Sequence, residues 1–370
     1  MDEHEQLAAL RLHLASGVGP RTYAALVERF GTPSAAVTAS ERDLVSVAGI
    51  GDQTAAGIRS SLDAADPEAE LKRAQEAGVG LLFRGEPDYP VALSYLADAP
   101  PVLYVKGSLC REDAQAMAVV GMRKCSLYGQ DQAERLAGGL ARTGFTVVSG
   151  LARGIDSAAH RGALAAGGRT VAVLGNGLAT VYPPENNRLA EAIVERGALV
   201  SEFPMAIEPR AENFPRRNRI LAALSLGVIV VEAGYRSGSL ITARLAAELG
   251  KEVFAVPNRV DAPGAAGVHA LIRDGAKLVA SLADVLEEFP SLGIAAPAGE
   301  NAPHEERIAL KANLSPEEAR LTEILDSEPA GLDVLAQRSG LGASQASAAL
   351  TLLELKGLVR ALPGGQFAKR

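Results

Sequence analysis

The chain has 370 residues, with 37 Lys and Arg against 44 Asp and Glu for a formal charge of -7, and 48% of it is hydrophobic. That length predicts two or three domains, the largest able to bury a core of its own, and 22% charged residues in so apolar a chain exclude a mainly disordered protein. The longest strongly apolar run, Leu221 to Val231, falls short of the about 18 residues that would span a bilayer. The amino terminus, MDEHEQLAAL, is acidic, so neither a signal nor a transit peptide is read and a cytoplasmic protein is expected. Cys110 and Cys125 support neither a disulfide framework nor a zinc spacing, and no metal or cofactor is expected. Screening over about 8 Å at physiological salt lets a local basic cleft act within an acidic molecule, so nucleic acid is not excluded.

Residues 1–66 read as short helices joined by glycine turns. Ser16-Gly17-Val18-Gly19-Pro20 precedes the helical TYAALVERFG, and Ala48-Gly49-Ile50-Gly51-Asp52 precedes QTAAGIRSSL. This duplication resembles the helix-hairpin-helix repeats of DNA-binding and SAM-like domains; the turns either offer backbone N–H groups to a phosphate or simply allow close helix packing. Residues 67–289 form the largest domain. Its segment Leu71 to Lys106 adds strands to one side, and from Val102 onward short Val-rich runs alternate with amphipathic helices: AVVG (118–121), TVVSG (146–150), TVAVLG (170–175), ALVSEF (198–203), GVIVVEA (227–233), EVFAVP (252–257) and AKLVA (276–280). Continuous apolar strands alternating with helices predict a Rossmann-like, doubly wound, mostly parallel α/β sheet. Residues 290–314 read as a linker. Residues 315–370, with Ser315 as N-cap, a helix near Ala343–Lys356 and a hairpin about Pro363-Gly364-Gly365, resemble a winged helix that binds either duplex DNA or protein.

In such a sheet, ligands gather at the carboxyl ends of the strands, where helix N-termini favour anions. Four loops there offer anion-binding groups: Gly121 with Arg123 and Lys124; Ser149, Gly150 and Arg153; Arg210 to Arg219; and Ser237, Gly238, Ser239 and Thr242. Two other readings compete. TVAVLGNGLAT begins like a dinucleotide fingerprint but has Thr180 at the third glycine, and no GxxxxGK[ST] is present, which leaves a nucleotide-binding or nucleotide-hydrolysing enzyme as the alternative. Ser149, Asp156 and His160 could be read as a triad, and Glu202 and Glu232 either as an acid–base pair or as groups that orient arginines. Around Phe214, however, Arg216, Arg217 and Arg219 with Asn218 combine cations and an aromatic ring, as single-stranded nucleic acid requires. The three arginines cannot all point one way on a helix, so one of them is expected to pair with Glu202 or Glu232.

The succession GMRKCSLYG, VVSGLARGIDSAAH, GRTVAVLGNGL, VYPPENNRL, SEFP, NFPRRNRI and SGSLITARLAAELG, over about Leu81 to Phe289, resembles the DNA processing protein A (DprA, or Smf) family. The resemblance implies a non-enzymatic protein that binds and protects single-stranded DNA and loads RecA onto it in natural transformation. It implies that Arg123 contacts phosphate beside Lys124, that Phe214 stacks on a base, and that Arg216, Asn218 and Arg219 line the same pocket. Where the family often has a lysine, three residues before the phenylalanine, this chain has Ala211, with Arg210 next to it. The resemblance further implies a homodimer, with His269, Leu271, Ile272 and Leu278 at its face.

Overall fold

The computed structural model of the chain describes residues 1–292, 314–325, 329–356, 358–362 and 364–369. It divides into two compact units, Met1–Cys125 with Ala133–Ala280, and Ser126–Gln132 with Ser281–Arg370. In the first unit the strands β1 (Val79–Phe83), β2 (Val102–Gly107), β3 (Ala116–Val120), β4 (Thr146–Ser149), β5 (Thr170–Val173), β6 (Ala198–Ser201), β7 (Gly227–Val230), β8 (Glu252–Ala255) and β9 (Lys277–Leu278) join one sheet. Their order is β1-β2-β6-β5-β4-β3-β7-β8-β9. From β6 across to β9 every pairing is parallel, while β2 pairs antiparallel with both β1 and β6. This is the doubly wound sheet that the sequence predicts.

The chain lays strands outward from β3 to β6, then returns to place β7 on the opposite flank of β3. The carboxyl ends of β3 and β7 therefore flank the switch point, where successive crossovers diverge and leave a crevice. Helices on both faces explain why β3 and β7 are buried at every residue. In β5 the two-residue period feeds both layers. Val171 and Val173 pack with Ile220, Val228 and Val230, whereas Ala172 packs on the other face with Tyr104, Leu199 and the helical Leu10 and Leu12.

Leu10 and Leu12 belong to the six amino-terminal helices, Glu3–Leu14, Pro20–Phe30, Pro33–Thr38, Glu41–Leu44, Asp52–Ala64 and Pro67–Glu76. These helices share an apolar cluster with the sheet instead of closing a separate core. Their two glycine turns match: Gly17 and Gly49 have φ of 83° and 86°, and Gly19 and Gly51 are the N-caps of the helices that follow. A Cβ at Gly49, Gly19 or Gly51 would meet nothing within 4 Å. Backbone conformation, and not crowding between helices, is what Gly49 serves.

In the second unit, helices Pro316–Ile324, Leu332–Ser339 and Ala343–Leu355 pack with a three-stranded antiparallel sheet of Ala330–Gly331, Gln366–Lys369 and Val359–Leu362. Leu321, Leu335, Leu350, Leu353 and Val359 form its core. This is the expected winged helix. Ser315 caps the first helix, its hydroxyl accepting the Glu318 N–H at 3.2 Å while the Glu318 carboxylate accepts the Ser315 N–H at 2.6 Å. Gly364 and Gly365, with φ of 85° and 69°, turn the hairpin. Pro363 and, within the expected linker, residues 293–313 lie outside the described residues. Lys356, the cation that follows the third helix, donates to both carboxylate oxygens of Glu318 at 2.8 and 2.7 Å.

Two histidines make the fold acid-sensitive. His160 is fully buried and His13 is half-buried with its Nε2 enclosed, and burial lowers them to about 3 and about 4 respectively. Both are thus neutral in the folded chain, yet titrate near 6.5 once unfolded. Between pH 6.5 and 4 the unfolded chain binds more protons, so stability is full above that window and falls as pH drops through it. Urea unfolding at pH 7 and pH 5 is expected to show a loss on the order of 2 kcal/mol per histidine, with a shallower loss in His13→Gln.

Candidate nucleic-acid interface

The loops at the switch point enclose a cavity of about 430 Å³. Val120, Gly121 and Arg123 reach it from β3, and Ala152 and Asp156 from β4. Tyr182 comes from the loop after β5, and Pro209, Ala211, Phe214, Pro215, Arg217, Asn218 and Leu221 follow β6. Ser237, Gly238, Ser239 and Thr242 close it after β7.

Phe214 stands in the first turn of the helix Asn213–Leu224 and is half-buried. The exposed Arg123 places its guanidinium 5.0 Å from the ring centroid, and the Tyr182 ring lies 5.8 Å away at a tilt of 45°. A Cβ at Gly175 would sit 2.9 Å from Phe214 Cδ1, and one at Gly177 would sit 2.1 Å from the Pro204 carbonyl. The glycines of LGNG therefore make room for an aromatic ring and a loop backbone; this accounts for them without a pyrophosphate.

The three clustered arginines go three ways, as a rotation of about 100° per residue dictates. Arg217 is 4% exposed and donates from Nη1 to the Val173 carbonyl. Its guanidinium fills the place that a Cβ at Gly150 would take, since that atom would lie 2.0 Å from Nη1. Burial, with Arg123 nearby, draws Arg217 down to about 10, still cationic at neutral pH. Burial also pushes the Asp156 carboxyl up, against the pull of Arg217. Arg216 is exposed, outside the cavity, with its guanidinium 5.4 Å from the Phe203 ring centroid.

Arg219 does not line the cavity as expected. It is locked inside, bidentate to Glu202 at 2.7 and 2.8 Å, with its Nε 3.2 Å from Asp98 and Nη2 donating to the Asp98 carbonyl at 2.9 Å. Ser149 is likewise withdrawn: it is fully buried, and its hydroxyl donates to the Val119 carbonyl at 2.7 Å. Gly150 is buried beneath Arg217, its N–H donating to Asp156 at 3.1 Å. Arg153 points to Glu185, with Nη2 donating at 3.0 Å. Lys124 and Arg210 are exposed beyond the cavity wall. Asn218 lines the cavity and donates to the Gly238 carbonyl at 3.2 Å.

The residues of the alternative triad do not meet. Ser149 turns to Val119, Asp156 to Gly150, and the His160 Nδ1 lies 2.7 Å from the Thr170 hydroxyl. Glu202 orients Arg219, and Glu232 accepts from the Asn258 side chain at 3.0 Å. On the far side of the sheet order, His269 Nε2 is 2.9 Å from the Asn258 carbonyl, and Leu271 and Ile272 pack against the sheet core. Leu278, on the edge strand β9, is 46% exposed. Sequence reasoning passed over Tyr182 and Pro209 as site residues. Tyr182 carried a usable signal, an aromatic in a carboxyl-end loop just before Pro183-Pro184.

Fold and site together define a doubly wound α/β protein, flanked by helix-hairpin-helix and winged-helix modules, with a cationic and aromatic pocket at its switch point. The family model described as DNA recombination-mediator protein A matches residues 80–290, the DprA winged helix domain matches residues 305–365, and a SAM-like helix-hairpin-helix tandem matches residues 10–64. The chain belongs to this DprA/Smf family. It is 45% identical over 287 residues to protein Smf of Escherichia coli K12, spanning 76% of this chain and 75% of that protein. It is 33% identical to Smf of Synechocystis over the whole of both chains. The X-ray structure of DprA from Streptococcus pneumoniae matches with a TM-score of 0.68 at 36% identity, covering 78% of this chain and 98% of that one. A structure of the Helicobacter pylori protein, described for its single-stranded DNA binding mode, matches with a TM-score of 0.52 at 29% identity, covering 58% and 96%.

The division among the arginines predicts unequal stability effects. Arg219→Ala strands the buried Glu202 carboxylate and is expected to cost about 3–5 kcal/mol in urea unfolding. Arg216→Ala, on the exposed face, is expected to stay within about 0.5 kcal/mol of the parent.

Proposed function

We propose that the chain binds single-stranded DNA in the switch-point pocket, protects it, and loads RecA onto it during natural transformation, working in the cytoplasm as a homodimer without a catalytic cycle. The observation that carries this reading is the pairing of the Phe214 ring with the Arg123 guanidinium across the cavity. Unstacked bases need planar faces and their phosphates need cations, and here the two are supplied side by side. A base that stacks on Phe214 competes with Arg123 for the ring, which frees the guanidinium for the adjoining phosphate.

The remaining groups fit the same ligand. The helix Gly238–Glu248 starts without a side-chain cap, since the Ser237 hydroxyl is 2.7 Å from that of Ser239, so first-turn N–H groups can serve a phosphate. Thr242 and Asn218 add polar groups to the cavity wall. Arg217 holds positive charge at the pocket's buried side, while Lys124, Arg210 and Arg216 are exposed cations for the strand outside it. The DNA-processing names of the curated relatives and the single-stranded DNA binding described for the H. pylori neighbour support the assignment. In the homodimer, His269, Leu271, Ile272 and Leu278 form the contact, and two pockets on one strand raise avidity by about 100-fold or more. The cation-free exposed face of Ala343–Leu355 favours a protein partner for the winged helix over duplex reading.

Gel shifts with single-stranded and duplex probes at two salt concentrations test the reading. Arg123→Ala is expected to weaken single-strand binding and to reduce the log–log salt slope by about 0.7, the value of one phosphate contact. Phe214→Ala is expected to lose about 1–3 kcal/mol of binding while keeping its circular dichroism. Submicromolar binding or turnover of a mononucleotide would instead favour the nucleotide enzyme.

A further inference from the structure

A polynucleotide longer than the cavity has to leave it across a rim, and the rim beside the Ser237–Ser239 wall has an unusual surface. There the chain makes a turn from Gly234 to Ser237, closed by the Ser237 N–H donating to the Gly234 carbonyl at 3.0 Å. Tyr235 and Arg236 occupy its two middle positions, where side chains project outward. Tyr235 is 74% exposed, and Arg236 is exposed beside it. The tyrosine ring has no hydrogen bond or ring partner among the described residues.

The turn stands on a braced base. The Ala233 N–H donates to the Gly264 carbonyl at 2.9 Å, and the Gly267 N–H donates to the Ala233 carbonyl at 2.7 Å. Those bonds tie the loop after β7 to the loop after β8, which carries Val260 at 89% exposure, and to the helix Ala265–Arg273 that follows it. A single exposed apolar side chain needs no explanation. An aromatic ring presented on a fixed turn, next to a cation and two residues from a cavity wall, does. Two residues span at most about 7 Å between Cα atoms, so the ring borders the site it would extend.

We infer that Tyr235 is a second base-stacking platform, which takes a nucleobase of the strand leaving the cavity while Arg236 meets the neighbouring phosphate. The inference rests on the single-stranded DNA reading and adds a direction to it: the strand passes from Phe214 over the amino end of helix Gly238–Glu248 toward the Tyr235 turn. Successive bases stacked on successive aromatic rings, with cations between them, is how sequence-tolerant binders hold single strands. Continuity with the pocket and the adjacent cation favour a nucleobase over a protein side chain as the occupant.

The chain contains no tryptophan, so Tyr235→Trp in the full-length protein supplies one indole at the site in question. Oligothymidylates of about 4 and about 20 nucleotides are titrated, with polarisation of a labelled strand reporting binding independently. The expected result is that the long oligonucleotide quenches the indole, that Tyr235→Ala weakens its binding by about 5- to 150-fold, that Tyr235→Phe restores most of the affinity, and that all three variants bind the short one like the parent. Binding of the long strand without quenching, or unchanged affinity in Tyr235→Ala, overturns the platform and leaves the Phe214 pocket standing. Quenching by purified RecA but not by DNA likewise overturns it, in favour of a protein contact. Failure of the parent chain to bind either oligonucleotide overturns the single-stranded DNA reading and this inference with it.

Discussion

The parallel pairing of β3 with β7 is the constraint on which the site depends. Met117 pairs with Gly227 and Val120 with Val230, so the two strands end level and their following loops emerge at the same height. Because the chain leaves β3 in one direction across the sheet and β7 in the other, no crossover helix fills the space between those loops. The Arg123 loop and the Ser237–Ser239 turn thereby become opposite walls of one cavity. The long segment after β6 then closes it from above with Pro209, Ala211 and Phe214.

An acidic molecule can carry a cationic pocket because its arginines are sorted by burial and by partner. Arg219 and Arg153 are neutralised by carboxylates, Arg219 by Glu202 and Asp98 and Arg153 by Glu185. Arg217 faces one carboxylate, Asp156, whose ionisation is itself opposed by burial. Arg123 engages an aromatic face, which attracts a guanidinium without cancelling its charge. Positive potential therefore survives at Arg123 and Arg217, even though net charge integrated over the whole chain is -7. Beyond a Debye length of about 8 Å the surplus acidic residues contribute little to that cavity.

Much of this architecture was legible because it is written in local periodicity. Continuous apolar runs marked the parallel strands, and glycine turns marked the helical repeat at Gly17 and Gly49. Four of the five loops that converge on the cavity were readable as well, since each follows a strand; the fifth, which brings Tyr182 after β5, was not. What the sequence left open was which side chain in a loop turns outward. Arg216, Arg217 and Arg219 share a type and a neighbourhood, yet their fates are set by distant partners, Phe203, Val173 with Asp156, and Glu202 with Asp98. Ser149 sits at the carboxyl end of its strand as a binding residue would, but the pleat aims its hydroxyl at the Val119 carbonyl. Such outcomes depend on tertiary neighbours that no window of sequence contains. The same holds for the glycines of LGNG, whose spacing suggests a cofactor although their neighbours are Phe214 and the backbone near Pro204.

The amino-terminal helices bear on the pocket through the loop that closes it. Glu70, 3% exposed on the helix Pro67–Glu76, accepts the Met205 N–H at 2.6 Å and is held by Arg73 Nη1 at 2.6 Å. Met205 in turn offers its carbonyl to the Ala179 N–H at 3.2 Å, and the Ile207 carbonyl accepts the Gly177 N–H at 2.8 Å. The segment that carries Pro209 and Ala211 to the cavity is thus pinned on one side by the helical region and on the other by the loop after β5. A buried carboxylate bonded to a backbone N–H is a directional restraint, because leaving that N–H unpaired would cost more than the bond itself contributes. The position of Phe214, the ring around which the pocket is organised, is therefore determined partly by residues more than a hundred positions away in sequence. The helical region thus belongs to the architecture of the pocket.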